Sequence, residues 1–336
     1  MAATIIDIAR AAGVSHTTVS LALRPDSRIS AVTRRKVMRA AGRLKYIPNL
    51  AARHLRHGRP RLLGALVLDI TNPFWARMAR EVETTARRLG YHVMIAESQW
   101  DPEREKFHIE RMIQSRVRGL LVCFSEKTDE GQALLDRFAV PHVALDTFPA
   151  GYEGPFVAND LVQAGRLAAQ HLIEVGCRNP LLFLPNHRPR RFSSLEHLRR
   201  GFSAGLRRAG VRFGAGSVYD AGWMIEDGMR AFERVRASGA PVDAILCAND
   251  LCALGVLEAA THVGVRVGRD LALMGIDNLP VSQLSVLSLT SIREPDAALA
   301  EIATRALVES IEKDEPLRIR RWLEPELVVR NSTRLH

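Results

Sequence analysis

From residue 62 onward the chain alternates between short apolar runs and stretches with helical periodicity. The alternation predicts strands at 62–70, 91–96, 119–124 and 140–146, with helices at 74–89, 103–116 and 131–138. It then continues with helices at 161–175, 195–209, 227–238 and 251–263, and strands at 181–185, 218–220, 244–248 and 271–276. This order is typical of parallel sheets flanked by helices.

The alternation falls into two similar halves, which predicts an α/β core of two lobes with a cleft between them. Open parallel sheets bind ligands at the carboxyl ends of their strands. We therefore expect a small-molecule site in the cleft.

The formal net charge of +10 lies entirely in residues 1–60, which contain twelve Lys and Arg and only two acidic residues. A basic head on a neutral body is the electrostatic pattern of a nucleic-acid-binding protein. The alternative is a basic face that only interacts with solvent. No apolar run is long enough to span a membrane and no signal-peptide pattern begins the chain, so we expect a cytoplasmic protein with four reduced, buried cysteines.

The basic head reads as short helices separated by turns. Thr4 is a candidate N-cap for a first helix, which Gly13 ends. Ser15 caps a second helix, and a third helix is predicted over 31–44. Two short helices joined by a turn with Gly form the helix-turn-helix unit, whose second helix enters the major groove of DNA.

Two motifs in the head resemble those of the lactose-repressor (LacI) family. Residues 7–23 carry the pattern DIAxxAGVSxxTVSxxL, and residues 45–55 carry KYIPNxxARxL. The resemblance extends over essentially the whole chain. It implies a helix-turn-helix domain at 1–47, a hinge helix and linker at 48–60, a first core lobe at 61–160 and 292–320, and a second lobe at 161–291 and 321–336.

The resemblance also implies which residues contact DNA. These are Thr4, Ser15, His16, Thr17, Thr18, Ser20, Leu21 and Arg24 in the head, and Asn49, Ala52 and Leu55 in the hinge. His16 and Thr17 have groups that can pair with base edges, whereas Leu21 stands where relatives usually have Arg and offers only apolar contact. Arg24 replaces the usual Asn and is expected at a phosphate, and Leu55 is expected to wedge into the minor groove.

The core carries the ligand site that the resemblance implies. Its candidate residues are Phe74, Trp75, Asp146, Arg191, Trp223, Asn249, Asp250 and Asp277. Aromatic faces with Asn and Asp acceptors suit a sugar, although Asp250 alternatively caps a helix and Phe74 alternatively belongs to the core. Leu198 occupies the place of an Arg in relatives. The basic loop 186–191 either supplies a substitute cation, which would suit an acidic or phosphorylated ligand, or is only solvated.

These features together predict a ligand-controlled transcriptional regulator that binds an operator in double-stranded DNA as a homodimer, with a sugar or sugar derivative as effector. An enzyme and a free solute-binding protein of the same core fold are the alternatives. No nucleotide-binding, hydrolase or metalloprotease motif occurs, so we expect no catalytic residues, no cofactor and no metal. No membrane partner is expected either.

Overall fold

The computed structural model describes residues 3–23, 28–46, 60–185 and 193–334. The chain divides into two compact units, Met1–Pro60 and Arg61–His336. The described part of the first unit forms three helices: α1 (Ile5–Ala12), α2 (His16–Ala22) and α3 (Ala31–Arg43). Their apolar faces meet in a small core in which Ile8, Val19 and Val37 are fully buried.

The caps of the head helices follow from the sequence. Thr4 and Asp7 form a capping box at the start of α1, and Gly13 ends that helix with a φ of 58°. Ser15 begins α2 because its hydroxyl accepts the backbone N–H of Thr18 at 3.1 Å. The helix-turn-helix predicted from these residues is therefore present.

The first lobe of the second unit is built on a six-stranded parallel sheet with the order β11-β5-β4-β3-β1-β2. Its strands are β1 (Leu62–Val67), β2 (His92–Glu97), β3 (Leu120–Val122), β4 (His142–Leu145), β5 (Phe156–Asn159) and β11 (Arg320–Leu323). One face packs against helices α4 (Pro73–Arg88) and α11 (Asp296–Lys313), and the other against α5 (Pro102–Gln114) and α6 (Glu130–Arg137).

The second lobe repeats this arrangement with the order β12-β10-β9-β8-β6-β7. Its strands are β6 (Pro180–Leu184), β7 (Val218–Asp220), β8 (Ala244–Cys247), β9 (Ala272–Ile276), β10 (Thr290–Arg293) and β12 (Glu326–Val328), and only β12 is antiparallel. Helices α7 (Leu161–Glu174) and α8 (Ser193–Arg208) cover one face, and α9 (Ile225–Ser238) and α10 (Asp250–His262) cover the other.

The predicted elements of the core are present and differ from the structure mostly at their ends, but five described helices and strands have no predicted counterpart. Four are the strands β5, β10, β11 and β12, whose three or four residues are too few to show a period. The fifth is the helix α11. The predicted lobe boundaries at residues 292 and 321 fall inside β10 and β11, since hydrogen bonding keeps Arg293 in the second sheet and Leu323 in the first. The four cysteines are buried, as expected.

Candidate DNA-binding surface and ligand cleft

Helix α2 presents one face of the head to solvent. His16, Thr17 and Leu21 are exposed, whereas Val19 on the opposite side is fully buried. Thr18 and Ser20 lie at the edge of this face and are half-buried. The residues expected to read base edges are therefore accessible on one side of one helix.

Three of the hydroxyl groups expected at DNA also have structural roles. The hydroxyls of Ser15 and Thr18 lie 2.8 Å apart at the start of α2. The hydroxyl of Thr4 donates to the Asp7 carboxylate at 2.7 Å. These three side chains fix the beginnings of α1 and α2, and so orient the exposed face.

Helix α3 adds positive charge to the head. Arg35, Lys36, Arg39 and Arg43 are exposed. Arg34 instead donates to the carbonyl oxygen of Ala22 at 3.1 Å and so satisfies the last turn of α2. The predicted DNA contacts Arg24, Asn49, Ala52 and Leu55 lie outside the described residues, as does the predicted ligand contact Arg191.

The cleft lies between the two lobes, where loops leave the carboxyl ends of the parallel strands. Asp69 follows β1, Trp100 follows β2 and Asp146 follows β4 in the first lobe. In the second lobe Trp223 follows β7, Asn249 follows β8, Asp277 follows β9 and Glu294 follows β10. The topology thus brings residues that are far apart in sequence to one site, as open parallel sheets commonly do.

The start of α4 forms the first-lobe wall of the cleft. Phe74 and Trp75 are both buried, and their rings meet edge to face at 4.9 Å. Asn72 caps α4 by accepting the backbone N–H of Phe74 at 2.9 Å, and its amide donates to Asp277 Oδ2 at 3.3 Å. The cap of this helix therefore also connects the two lobes.

Two indole rings face each other across the cleft. Trp100 from the first lobe and Trp223 from the second are stacked, with centroids 4.7 Å apart and planes within 11°. Trp75 contacts Trp100 edge to face at 6.1 Å. This aromatic wall provides flat apolar surface on which a ligand ring can stack.

Two carboxylates at strand ends have left-handed backbone conformations, with φ of 69° at Asp146 and 99° at Asp277. Asp146 Oδ1 accepts the side-chain amide of Asn159 at 2.7 Å, and burial raises the pKa of Asp146 to about 6. Burial raises the pKa of Asp277 well above its ordinary value, and the charge of Asp250 raises it further.

Asn249 and Asp250 have different positions at the start of α10. Asn249 lines the cleft, caps the helix through Cys252 N–H at 2.9 Å, and donates to the Trp223 carbonyl oxygen at 3.0 Å. Asp250 does not line the described cleft. Its carboxylate accepts from the hydroxyls of Ser282 and Ser291 and from the Leu279 N–H, so it supports the loop that carries Asp277.

A second contact between the lobes lies at the start of α8. The Glu126 carboxylate of the first lobe accepts from the hydroxyls of Ser193 and Ser194 at 2.6 and 2.7 Å, and from the Ser194 N–H at 3.0 Å. Burial raises the pKa of Glu126 to about 7. All three hydrogen bonds end on the Glu126 carboxylate, so this single side chain of the first lobe holds the start of α8 in the second lobe.

Sequence reasoning missed several residues of the cleft, among them Asp69, Asn72, Trp100 and Glu294. The first three lie at or just after the ends of strands of the predicted alternating pattern, and this position was the signal that could have found them. Glu294 follows β10, which that pattern did not include. Leu198, noted in the sequence for standing in place of an Arg, does line the cleft.

Two further properties of the described residues bear on function. None of their helices is long and apolar enough to cross a membrane. No group of three or more His, Cys, Asp and Glu among them is arranged to hold a metal ion.

A helix-turn-helix head followed by a two-lobed core with a cleft defines a class of protein, the DNA-binding regulator with a ligand-sensing core. Residues 4–49 match the family described as "Bacterial regulatory proteins, lacI family", and residues 169–333 match the "Periplasmic binding protein-like domain".

Comparisons over the full chain agree with this class. The chain is 31% identical over 333 residues to the HTH-type transcriptional repressor PurR of Mannheimia succiniciproducens, covering 99% of each chain. It is 32% identical to the ribose operon repressor of Halalkalibacterium halodurans, covering 98% of this chain and 97% of that one. The solved lac repressor dimer bound to operator and the anti-inducer ONPF is 25% identical, with a TM-score of 0.87 and 99% of each chain covered.

The chain therefore belongs to the LacI family of bacterial regulatory proteins. Members of this family are DNA-binding transcriptional regulators, not enzymes.

Proposed function

We propose that this protein is a repressor that binds a palindromic operator as a homodimer and responds to a small effector in the cleft. The observation that carries the proposal is the exposed face of α2, with His16 and Thr17 at its start, on a head that holds the whole net charge. A single head reads one half-site, and a two-fold dimer reads both. A protein with this role acts on DNA, so we expect it in the cytoplasm.

We propose a sugar or sugar derivative as the effector. Support comes from the indole surfaces of Trp100 and Trp223 beside the carboxylates of Asp146 and Asp277. Apolar sugar faces stack on aromatic rings, and sugar hydroxyls donate to carboxylates. The name of one relative, the ribose operon repressor, is consistent with this class of ligand.

We propose that the head comprises residues 1–47 and that the segment 48–60 transmits the state of the cleft to DNA. Its candidate contacts Asn49, Ala52 and Leu55 match the family's hinge motif. An apolar side chain inserted into the minor groove kinks DNA and exposes more of it to the protein. Leu55→Ala should reduce DNA bending and operator affinity but spare charge-driven binding, because it removes no positive charge.

A gel-shift with DNA from upstream of the protein's own gene tests the function. Specific binding should fall on the order of 10³–10⁵-fold between 50 and 200 mM salt if a dimer neutralises about 6–10 phosphates. The His16→Ala/Thr17→Ala double variant should change the sequence selected from random DNA, whereas Met38→Ala, an exposed apolar change on α3, should not. Absence of specific DNA binding would support a solute-binding protein instead.

A further inference from the structure

The charge of the cleft is one-sided among the residues described. Four carboxylates line it, those of Asp69, Asp146, Asp277 and Glu294, and no Lys, Arg or His in the described part of the chain does so. Leu198 occupies the wall where the family resemblance leads one to expect an Arg. A ligand with a negative charge would meet four acidic side chains and no cation among the described residues.

Of the four carboxylates, that of Glu294 says most about the charge of the ligand. It is only 6% exposed, it lines the cleft, and its carboxylate makes no hydrogen bond to any described residue. By contrast, Asp146 accepts from Asn159 and Asp277 accepts from Asn72. A carboxylate that is largely withdrawn from water and faces a cleft gains free energy when a donor or a positive charge reaches it.

The electrostatics agree with this geometry. Burial raises the pKa of Glu294 well above its ordinary value, and the charges of Asp146 and Asp277 raise it further. The near cation, Arg77, is already engaged, because its Nε lies 2.6 Å from Asp296 Oδ2 and its Nη2 donates to the Asp277 carbonyl oxygen. A cation arriving with the ligand would therefore relieve the mutual repulsion of the cleft carboxylates.

The apolar side of the cleft consists of tryptophan rings. The stacked rings of Trp100 and Trp223 and the nearby ring of Trp75 form the apolar side of the same cleft. Indole faces attract cations and also stack on the apolar faces of pyranose rings. One ligand class satisfies both the rings and the carboxylates.

We propose that the effector is a protonated amino sugar, with its ring against the Trp100 and Trp223 indoles and its ammonium group beside Glu294 and Asp277. This inference rests on the proposed function, because it names the effector of that regulator. It is the alternative to the acidic or phosphorylated ligand that the basic loop 186–191, which lies outside the described residues, left open.

The test compares ligands that share a ring and differ in charge. Purified full-length protein is titrated near pH 7 with glucosamine, glucose and glucuronate, and with galactosamine, galactose and galacturonate, each to about 10 mM. The thermal midpoint and the intrinsic fluorescence are followed, because three of the four tryptophans line the cleft. An amino sugar should raise the midpoint and change the fluorescence, while its neutral partner binds on the order of tenfold more weakly and its acidic partner does not bind.

Glu294→Gln removes the charge and keeps the shape. It should weaken amino-sugar binding on the order of tenfold and leave binding of the neutral sugar nearly unchanged. Glu315→Gln, at an exposed position, is the matched control and should have no effect.

Three results would overturn the inference: a neutral or acidic sugar that binds as well as its amine, no response to either amino sugar, or an unchanged affinity in Glu294→Gln. A gel-shift on the same preparation separates the two proposals. If the protein binds its upstream DNA specifically but ignores amino sugars, only the ligand inference fails. If it does not bind that DNA, the proposed function fails.

Discussion

Single buried carboxylates give the stability of this core a pH dependence. Glu105 on α5 is fully buried, and its Oε2 accepts the backbone N–H of Ser125 at 2.5 Å. Its other oxygen has no hydrogen-bond partner in the described structure. Burial raises the pKa of Glu105 from 4.5 to about 7, so the folded protein holds this proton at pH values where the unfolded chain has lost it.

We predict that Glu105→Gln flattens the pH dependence of stability. The stabilising contribution of the protonated group is fully present below about pH 4.5 and is lost as the pH rises to about 7 and beyond. Its size is on the order of 3 kcal/mol. Urea unfolding at several pH values should show a smaller fall in the free energy of unfolding for this variant, with Glu315→Gln behaving like the wild type.

Only some of the individual cleft residues could be predicted from the sequence. Asp146 and Asp277 were predictable because they follow strong apolar strands, and each stands at a strand end in the structure. Glu294 and Trp100 follow strands as well, but their neighbours in the cleft come from the other lobe or from distant sequence. Only the tertiary structure shows that a buried Glu294 has no described donor.

Among the elements, helix α2 allows a cap to be distinguished from a DNA contact. Ser15 caps α2, and it was also expected at DNA. Ser15→Ala should destabilise the head by about 1 kcal/mol, while Ser15→Asp should preserve the cap. If Ser15 also faces a phosphate, Ser15→Asp should weaken DNA binding despite normal stability. Thermal unfolding with a gel-shift on both variants decides this, and equal DNA affinity of Ser15→Asp and wild type would leave Ser15 with the cap alone.

Helices α9 and α10 cross so closely that glycine is required at their contact. A Cβ atom at Gly255 would lie 1.9 Å from the Ile225 carbonyl oxygen, and one at Gly228 would lie 2.0 Å from the Cys252 carbonyl oxygen. Both obstacles are backbone atoms, so relief requires the helices to separate.

We predict that Gly255→Ala lowers the free energy of unfolding by about 3 kcal/mol, because it overpacks this crossing. Gly216→Ala is the control, since no atom lies within 4 Å of its added Cβ. That control should stay within about 0.5 kcal/mol of wild type. Chemical denaturation measures both, and equal stabilities would mean that the crossing can open without cost.

At the scale of the whole molecule, the core carries apolar side chains that a monomer leaves in water. Val281, Leu284 and Val286 are 36%, 53% and 86% exposed within one short segment. Exposed apolar side chains grouped in this way mark interaction surfaces. The proposed homodimer needs a surface shared by two copies of the chain, and this segment is the surface that we assign to it.

We predict a dimer in sedimentation at micromolar concentration, and a shift to monomer in the Leu284→Asp/Val286→Asp variant. The fold should be kept, because both side chains are exposed. Val329→Asp, at another exposed apolar position, should remain dimeric. A wild-type protein that sediments as a monomer with and without DNA would contradict both the dimer and the palindromic operator.

The sequence by itself determined most of the helices and strands up to residue 276, the helix-turn-helix and the class of the protein. These properties depend on interactions between residues close together in the sequence. Examples are the cap at Thr4, the left-handed backbone at Gly13 and the apolar runs of strand length. Such short-range interactions can be predicted from the sequence alone. The family motifs extended this reading to the DNA-contacting residues, which remain predictions.

The tertiary structure decided what depends on distant segments meeting. It decided that Trp100 stacks on Trp223 and that Asp250 supports a loop instead of lining the cleft. It also decided that β5 and β11 pair although about 160 residues separate them. Such contacts are set by packing and hydrogen bonding between elements, whose partners no local pattern specifies, and the charge of the cleft arises from the same long-range assembly.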